Sequence, residues 1–328
     1  MNVVIYFPPS PGCENSAHII SDAIGHDVGT HKCLKVLVRG SHLMSSREAE
    51  QKFKFDFTVD CVIFCERVLD HPALLNARYR ILIPNPEWLD PNSYRRAQAC
   101  THVWHKSRFS LERLAGAFPS AKNDYLGFTS RDPGREVTGY ESFLHLRGKV
   151  HTKRNTDKII ALWRSRPNLP ELYLHFYVSE ARDLDYPHWL KDNNLNFRIG
   201  WLERDEYLDI ASRHGIQLCT SEAEGFGHYI NEARAMGSLV ITTDAAPMNE
   251  LVDRSSGILV KASASSPMHF GTRYQVSQAS LASAIDRVLT MSPGSRKAMG
   301  TAARQRFLTE RRQFHSKARE LFAELLGS

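Results

Sequence analysis

At 328 residues, with 42% hydrophobic and 24% charged residues, the chain has the length of two ordinary domains and the composition of a globular protein. Its net charge of +6 divides evenly between residues 1–135 and 136–328, so neither half is a strongly basic module of the kind that binds nucleic acid by charge alone. Apolar runs such as Val3–Phe7 are far too short to span a bilayer. Met1 leads directly into a strand-like run with no basic n-region or cleavage pattern, which makes the cytoplasm the expected location.

The first half alternates strand and helix. Val3–Phe7 reads as a buried strand and Pro8–Cys13 as a rigid loop. A helix capped by Asn15 or Ser16 follows, with Ile19, Ile20, Ala23 and Ile24 turned inward. Further strands are predicted at Lys35–Val38, Cys61–Phe64, Tyr79–Ile83 and Thr101–Trp104, and Ser107 caps a helix running through Leu114. Such alternation builds a parallel sheet, and parallel sheets bind ligands beyond the carboxyl ends of their strands. Those ends carry the Pro9–Asn15 loop with Gly12, then Glu66, Asn85, Glu87 and His105. For Glu87 an exposed loop position is the plainer reading, and for His105 a structural one. The six cysteines (Cys13, Cys33, Cys61, Cys65, Cys100 and Cys219) show neither zinc nor redox spacing and read as free thiols.

Residues 129–141 break the alternation and read as a linker, which divides the chain into domains 1–135 and 136–328. The second alternation opens with strand Ser142–Leu146, the basic loop Arg147–Asn155 and a helix presenting Ile159, Ile160 and Trp163 on one face. Strands Leu172–Tyr177 and Asn196–Ile199 follow. Trp201, after Gly200, reads as a core residue before it reads as a stacking surface for a base. Helix Glu206–His214 stops at Gly215, and strand Ile216–Thr220 enters the segment Ser221–Glu232. Strand Leu239–Thr243, the loop Asp244–Glu250, strand Gly257–Val260 and a helix marked by Leu281, Ile285, Val288 and Leu289 come next. A final helix over residues 310–326 aligns Phe314, Ala318, Leu321, Phe322 and Leu325.

The segment Ser221-Glu-Ala-Glu-Gly-Phe-Gly-His-Tyr-Ile-Asn-Glu232 carries the chemistry. Gly225 and Gly227 bracket Phe226 and free the backbone to take positive φ and to approach a ligand. The helix predicted from His228 to Met236, ended by Gly237, presents its first N–H groups to that loop, a ready site for a phosphate. Glu224 and Glu232 flank it, and a carboxylate holds hydroxyls and vicinal diols rather than phosphate. Backbone donors set between two hydroxyl-reading carboxylates describe a nucleotide-sugar pocket.

Glu224-Gly-Phe-Gly227 with Glu232 eight residues after Glu224 resembles the donor-site motif of retaining GT-B glycosyltransferases close to family 4. The resemblance is strongest from Phe143 to Ala262; the N-terminal half matches in its alternation alone. It implies an α/β chain of two Rossmann-like, doubly wound domains facing across a cleft, with the acceptor on the N-terminal side and residues 310–326 packing back on that side. It implies a retaining enzyme that moves a sugar from a UDP- or GDP-linked donor to a hydroxyl of a glycan, a lipid-linked or a small acceptor, with no cofactor and no metal. Gly225, Phe226 and Gly227 would receive the diphosphate and donor sugar, Glu224 the sugar hydroxyls and Glu232 the ribose diol. The family places a basic pair on the loop after the first strand of the second domain. Lys149 and Arg154 stand there with their types exchanged, and Lys153 competes for the second place. His228-Tyr229 replaces the family's frequent Leu-Pro, which leaves His228 either a donor contact or a helix cap. The tripeptide Asp183-Leu-Asp185 has a metal-type spacing, against which the resemblance counts.

Three alternatives stay open on the sequence: a nucleic-acid acceptor such as a hydroxymethylated base in DNA, a sugar-nucleotide epimerase or phosphorylase on the same fold, and a nucleotide-sugar-binding protein without catalysis. A peripheral membrane contact through the final helix, which begins at Arg311-Arg312, is a fourth matter left open.

Overall fold

The computed structural model describes residues 1–25, 27–28, 31–32, 34–148, 154–176 and 194–327. Lys149, Lys153, Asp183 and Asp185 lie outside the described residues. The chain forms two compact units. One comprises Met1–Ser130, Pro267–Thr272 and Thr309–Ser328; the other comprises Arg131–Ser266 and Arg273–Leu308.

The strands of the first half are β1 (Asn2–Phe7), β2 (Asp27–Val28), β3 (His31–Lys32), β4 (Leu34–Arg39), β5 (Cys61–Cys65), β6 (Tyr79–Ile83), β7 (His102–His105) and β8 (Lys122–Tyr125). Apart from the small antiparallel pair β2–β3, they form one parallel sheet in the order β4-β1-β5-β6-β7-β8. β5, Cys-Val-Ile-Phe-Cys, is buried at every position. A strand covered on both faces has no polar side, which is why it reads as a continuous apolar run. The helices are α1 (Pro11–Ala23), α2 (Ser46–Lys52), α3 (Pro72–Leu75), α4 (Pro91–Ala97) and α5 (Arg108–Leu114). Ser107 caps α5 as predicted. α1 starts earlier than the sequence reading placed it. Pro11 supplies the preset φ of a first helical residue and the Ser10 hydroxyl accepts from the Cys13 N–H, so Ser10 is the cap, not Asn15 or Ser16.

The second half holds β9 (Phe143–Gly148), β10 (Leu172–Phe176), β11 (Leu195–Ile199), β12 (Ile216–Cys219), β13 (Leu239–Asp244), β14 (Gly257–Met268) and β15 (Gly271–Val276), in the order β11-β10-β9-β12-β13-β14-β15. Its helices are α6 (Thr156–Ser165), α7 (Arg204–Arg213), α8 (His228–Ala235), α9 (Met248–Leu251) and α10 (Gln278–Thr290), and α11 (Pro293–Gly327) ends the chain. Phe143, Ile159, Trp163, Leu218, Ile241 and Ile285 meet in its core, the Phe143 and Trp163 rings 5.1 Å apart.

Two corrections concern length. The strand expected at Gly257–Val260 continues to Met268 and turns back as β15. The tip of this hairpin belongs to the first unit, where the Phe270 ring lies 5.0 Å from Tyr94 and its N–H donates to the Pro86 carbonyl at 3.2 Å. The final helix spans 35 residues from Pro293, not residues 310–326. Its Thr309–Ser328 end belongs to the first unit, where Phe314 packs 5.1 Å from Phe128.

Candidate functional site

In the second sheet the chain runs outward from β9 through β10 to β11, then returns to the other side of β9 with β12. The order reverses between β9 and β12, and the loops leaving these two strands flank the crevice where open parallel sheets take ligands. The loop after β9 carries Arg154; the loop after β12 carries Ser221–Gly227.

The two loops are cross-tied. Asn155, in the left-handed region at φ 54°, donates its amide to the Thr220 carbonyl at 2.9 Å, and the Thr220 hydroxyl donates to the Arg154 carbonyl at 3.0 Å. Beneath them His145 bridges the Leu218 carbonyl and the Thr156 hydroxyl, each at 2.8 Å. Burial lowers the His145 pKa to about 4, so the imidazole is neutral at neutral pH. The Arg154 guanidinium donates to the Leu146 carbonyl at 2.7 Å and lies 3.7 Å over the Tyr229 ring.

Gly227 takes φ 97°, which lets the loop turn into α8 without a Cβ penalty, and His228 is the first helical residue. Gly237, at φ 76°, follows the helix end as predicted. The Ser221 hydroxyl donates to Glu224 at 2.6 Å and shares a short contact with the Tyr229 hydroxyl at 2.5 Å. Glu232 pairs with Arg204 at 3.3 Å. Desolvation raises the pKa of both carboxylates, and the Arg154 charge opposes that rise at each, more weakly at Glu232 than the nearer Arg204 does. Arg154 thus acts electrostatically on Glu224 and Glu232 together: the structure gathers these three predicted residues around the Gly225–Gly227 loop. The Phe226 side chain is buried, its ring 5.4 Å from that of His228.

One pair went unnoticed in the sequence. Arg273 on β15 donates to the buried Glu222 at 2.5 Å, and the Tyr274 N–H donates to the Glu222 carbonyl at 2.6 Å. With the Thr243 hydroxyl donating to the Ser221 carbonyl at 2.6 Å, these bonds anchor the start of the motif loop. A basic residue fifty positions downstream in a polar segment carries no periodic signal that would have found it.

In the first unit the reversal falls between β1 and β5. Glu66, at φ 75°, leaves β5 and accepts from the Asn85 amide at 2.7 Å and the Cys13 thiol at 3.2 Å. The buried Lys106 ammonium donates to the other face of Asn85 at 3.0 Å. Gly12 sits in the first turn of α1, and a Cβ placed there would meet nothing within 4 Å. Gly12 and Asn85 therefore stand at this edge. The other two candidates are buried: His105 fits its structural reading, and Glu87 departs from its exposed one. His105 is fully buried between the Ser110 hydroxyl and Asn123, each at 3.0 Å, and burial lowers its pKa, so it is a structural residue. Glu87 is 4% exposed, not an exposed loop residue; its backbone lies 3.0 Å from the position of a Cβ on Gly271. Lys106 was missed, although it stands just beyond a strand's carboxyl end, the kind of position that singled out Asn85.

Among the described residues no group of histidine, cysteine, aspartate or glutamate is arranged to hold a metal, and no helix is long and apolar enough to cross a membrane. Five cysteines are buried and free.

No protein-family model matches the sequence, and no curated protein does. Solved structures do match across the full length. A sucrose-phosphate synthase from Thermosynechococcus elongatus superposes with a TM-score of 0.74 at 13% identity, over 100% of this chain and 99% of the other. The Anabaena protein HepE, solved in complex with UDP and glucose, gives 0.69 at 15% identity over 100% and 99%. A glycosyltransferase from Rickettsia africae gives 0.68 at 14% identity over 99% and 98%. The fold of this chain is the GT-B fold of two Rossmann-like domains that these structures share.

Proposed function

We propose that this GT-B chain is a glycosyltransferase that takes a sugar from a nucleoside-diphosphate donor, UDP-linked as first choice, and passes it to a hydroxyl acceptor with retention of configuration. The observation that carries the reading is the convergence of Arg154, Glu224 and Glu232 on the Gly225–Gly227 loop at the N-terminus of α8. Neighbours of the same fold, one of them solved with UDP and glucose, add support.

The chemistry follows from the parts. The α8 N–H groups and the Arg154 guanidinium take the diphosphate. Glu232 takes the ribose diol and Glu224 the sugar hydroxyls. The bond between the anomeric carbon and the phosphate oxygen breaks first, and negative charge gathers on the leaving diphosphate, where fixed donors lower the barrier by ~3–4 kcal/mol each. The acceptor oxygen attacks the oxocarbenium-like carbon from the same face. Its proton passes to the departing phosphate oxygen, so no separate base is consumed. Lys149 and Lys153 join Arg154 as candidates for the diphosphate. Gly12 and Asn85, beside Glu66, are the candidates on the acceptor side.

A thermal-shift panel of UDP-, GDP-, ADP- and TDP-sugars tests the reading. A donor at a hundred times its dissociation constant stabilises the fold by about 2.7 kcal/mol. No shift with any member of the panel refutes it. Product analysis with and without acceptor separates transfer from epimerisation.

A further inference from the structure

In the first unit, the loops after β4 and β5 and the segment from Asp90 into α4 line a cavity of about 490 Å³. That volume lies in the usual range for small-ligand sites. His42 and Leu43 come from the first loop, Val68 from the second, and Asp90, Arg95 and Arg96 from the third segment. The cavity stands at the carboxyl ends of its strands, on the same loops as Glu66 and Asn85. Asp90 is fully engaged. Its Oδ1 accepts from the Asn92 and Ser93 N–H groups at 2.9 and 3.1 Å. Its Oδ2 accepts from Arg67 at 2.6 Å and from the Ser93 hydroxyl at 2.7 Å. Arg67 also lies 3.6 Å from Glu66, so two carboxylates share it. Arg95 and Arg96 form no ion pair among the described residues; Arg95 donates to the Asn92 side chain at 2.5 Å and Arg96 to the His42 carbonyl at 2.6 Å. These bonds fix both guanidiniums at the cavity and occupy one nitrogen of each five-donor fork. Three guanidiniums against two carboxylates leave the cavity positive. His42 adds no charge at neutral pH, because desolvation, and next the Arg67 charge, lower its pKa. Its Nδ1 is shielded from solvent and has no hydrogen-bond partner among the described residues, and a buried polar atom in that state calls for one.

We propose that this cavity binds the anionic group, a phosphate or a carboxylate, of a hydroxyl-bearing acceptor. The forks of Arg95 and Arg96 match the paired oxygens of either anion with parallel hydrogen bonds. Leu43, 79% exposed, and the buried Val68 give a carbon skeleton apolar surface to lie on. A neutral ligand would take water from the two guanidiniums and return no charge-assisted bond, whereas an anion returns one to each. The acceptor role rests on the proposed transfer reaction; the anion site itself does not.

The test titrates glucose 6-phosphate, glucuronate, glucose and inorganic phosphate into the full chain by calorimetry, with and without saturating UDP to cover the donor site. Wild type is compared with Arg95→Ala and with the double variant Arg95→Ala/Arg96→Ala. Arg95 is exposed and bonds Asn92 alone, so its single variant keeps the fold should the double variant not. The site predicts that an anionic sugar binds about tenfold tighter than glucose or more, and that added salt weakens the anionic sugar selectively. It predicts a further loss of roughly 10- to 150-fold for that sugar in Arg95→Ala, with UDP affinity unchanged. Anionic sugars that bind no tighter than glucose, or that are indifferent to both variants, overturn the site. Inorganic phosphate held as tightly as glucose 6-phosphate overturns the acceptor role, since nothing then reads the carbon skeleton. A fall in UDP affinity in Arg95→Ala also overturns it, because the arginine then serves the donor. A wild type that binds an anionic sugar and not UDP upholds the site and refutes the donor reading; the reverse result does the opposite.

Discussion

Glu232 and Glu224 lie eight residues apart in different surroundings, and the proposed function gives them different roles. Glu232 is held by Arg204, and Glu224 by the Ser221 hydroxyl. Glu232→Ala is expected to weaken binding of free UDP by about 1.5–3 kcal/mol, the worth of a hydrogen bond to a charged group, as read by calorimetry. Glu224→Ala should leave free UDP bound and slow transfer; equal losses in the two variants would mean the roles are misassigned. His145 makes a prediction about pH. Its folded pKa of about 4 lies below the ordinary 6.5, so the unfolded chain binds the proton more readily in that interval. Its contribution is present above pH 6.5 and is lost as pH falls towards about 4, by ~3 kcal/mol in all. Imidazole NMR should find His145 neutral at pH 5.5. Titration of its ring near 6.5 would show that the site is wet.

At the scale of elements, the β14–β15 hairpin was the main omission. Residues 261–268 are largely exposed, small and polar and include Pro267, so no alternation of apolar residues announces a strand. What makes it a strand is its pairing to β15, which in turn bonds Glu222. Arg273→Ala leaves Glu222 buried without its cation and should cost about 1–3 kcal/mol in denaturant unfolding. It should slow transfer about tenfold while UDP affinity holds, because the loop that carries Glu224 loses its anchor and Glu232 does not. A matched fall in UDP affinity would place Arg273 in nucleotide binding. Helix starts teach a second lesson. Ser10-Pro11, His71-Pro72, Asp90-Pro91 and Ser292-Pro293 all put a hydrogen-bonding residue just before a proline. The cap takes an orphan N–H, and proline has none to lose. Weight on that pairing would have set the starts of α1 and α11 correctly.

At the scale of the molecule, the second half of α11 completes the first unit: Phe314, Leu321, Phe322 and Leu325 are all buried. Phe314→Ala is expected to cost ~3–5 kcal/mol, and a chain ending at Leu308 should lose cooperative unfolding of that unit. A truncated chain with an unchanged melting profile would count against the assignment. Because cations and helix N–H groups are the proposed diphosphate ligands, transfer should persist in excess EDTA. Loss of transfer restored by magnesium or manganese would return attention to Asp183 and Asp185.

Most strands of both sheets were legible because a buried parallel strand leaves an unbroken apolar run, as Val3–Phe7 and Cys61–Cys65 do. The loop-and-helix geometry of Ser221–Glu232 was legible because its residues are contiguous and Gly227 answers to local backbone geometry. Sequence by itself therefore determined the alternation, the two units in outline, and the placing of Glu224, Gly227 and Glu232 on one loop and helix. Tertiary structure decided what depends on distant partners: that Arg273 holds Glu222, that Arg154 acts on both carboxylates, that His105 and Glu87 are buried, and that Trp201 faces solvent. Those outcomes follow from which residues the fold brings within a few ångströms, and burial and charge pairing are properties of that neighbourhood, not of the side chain alone.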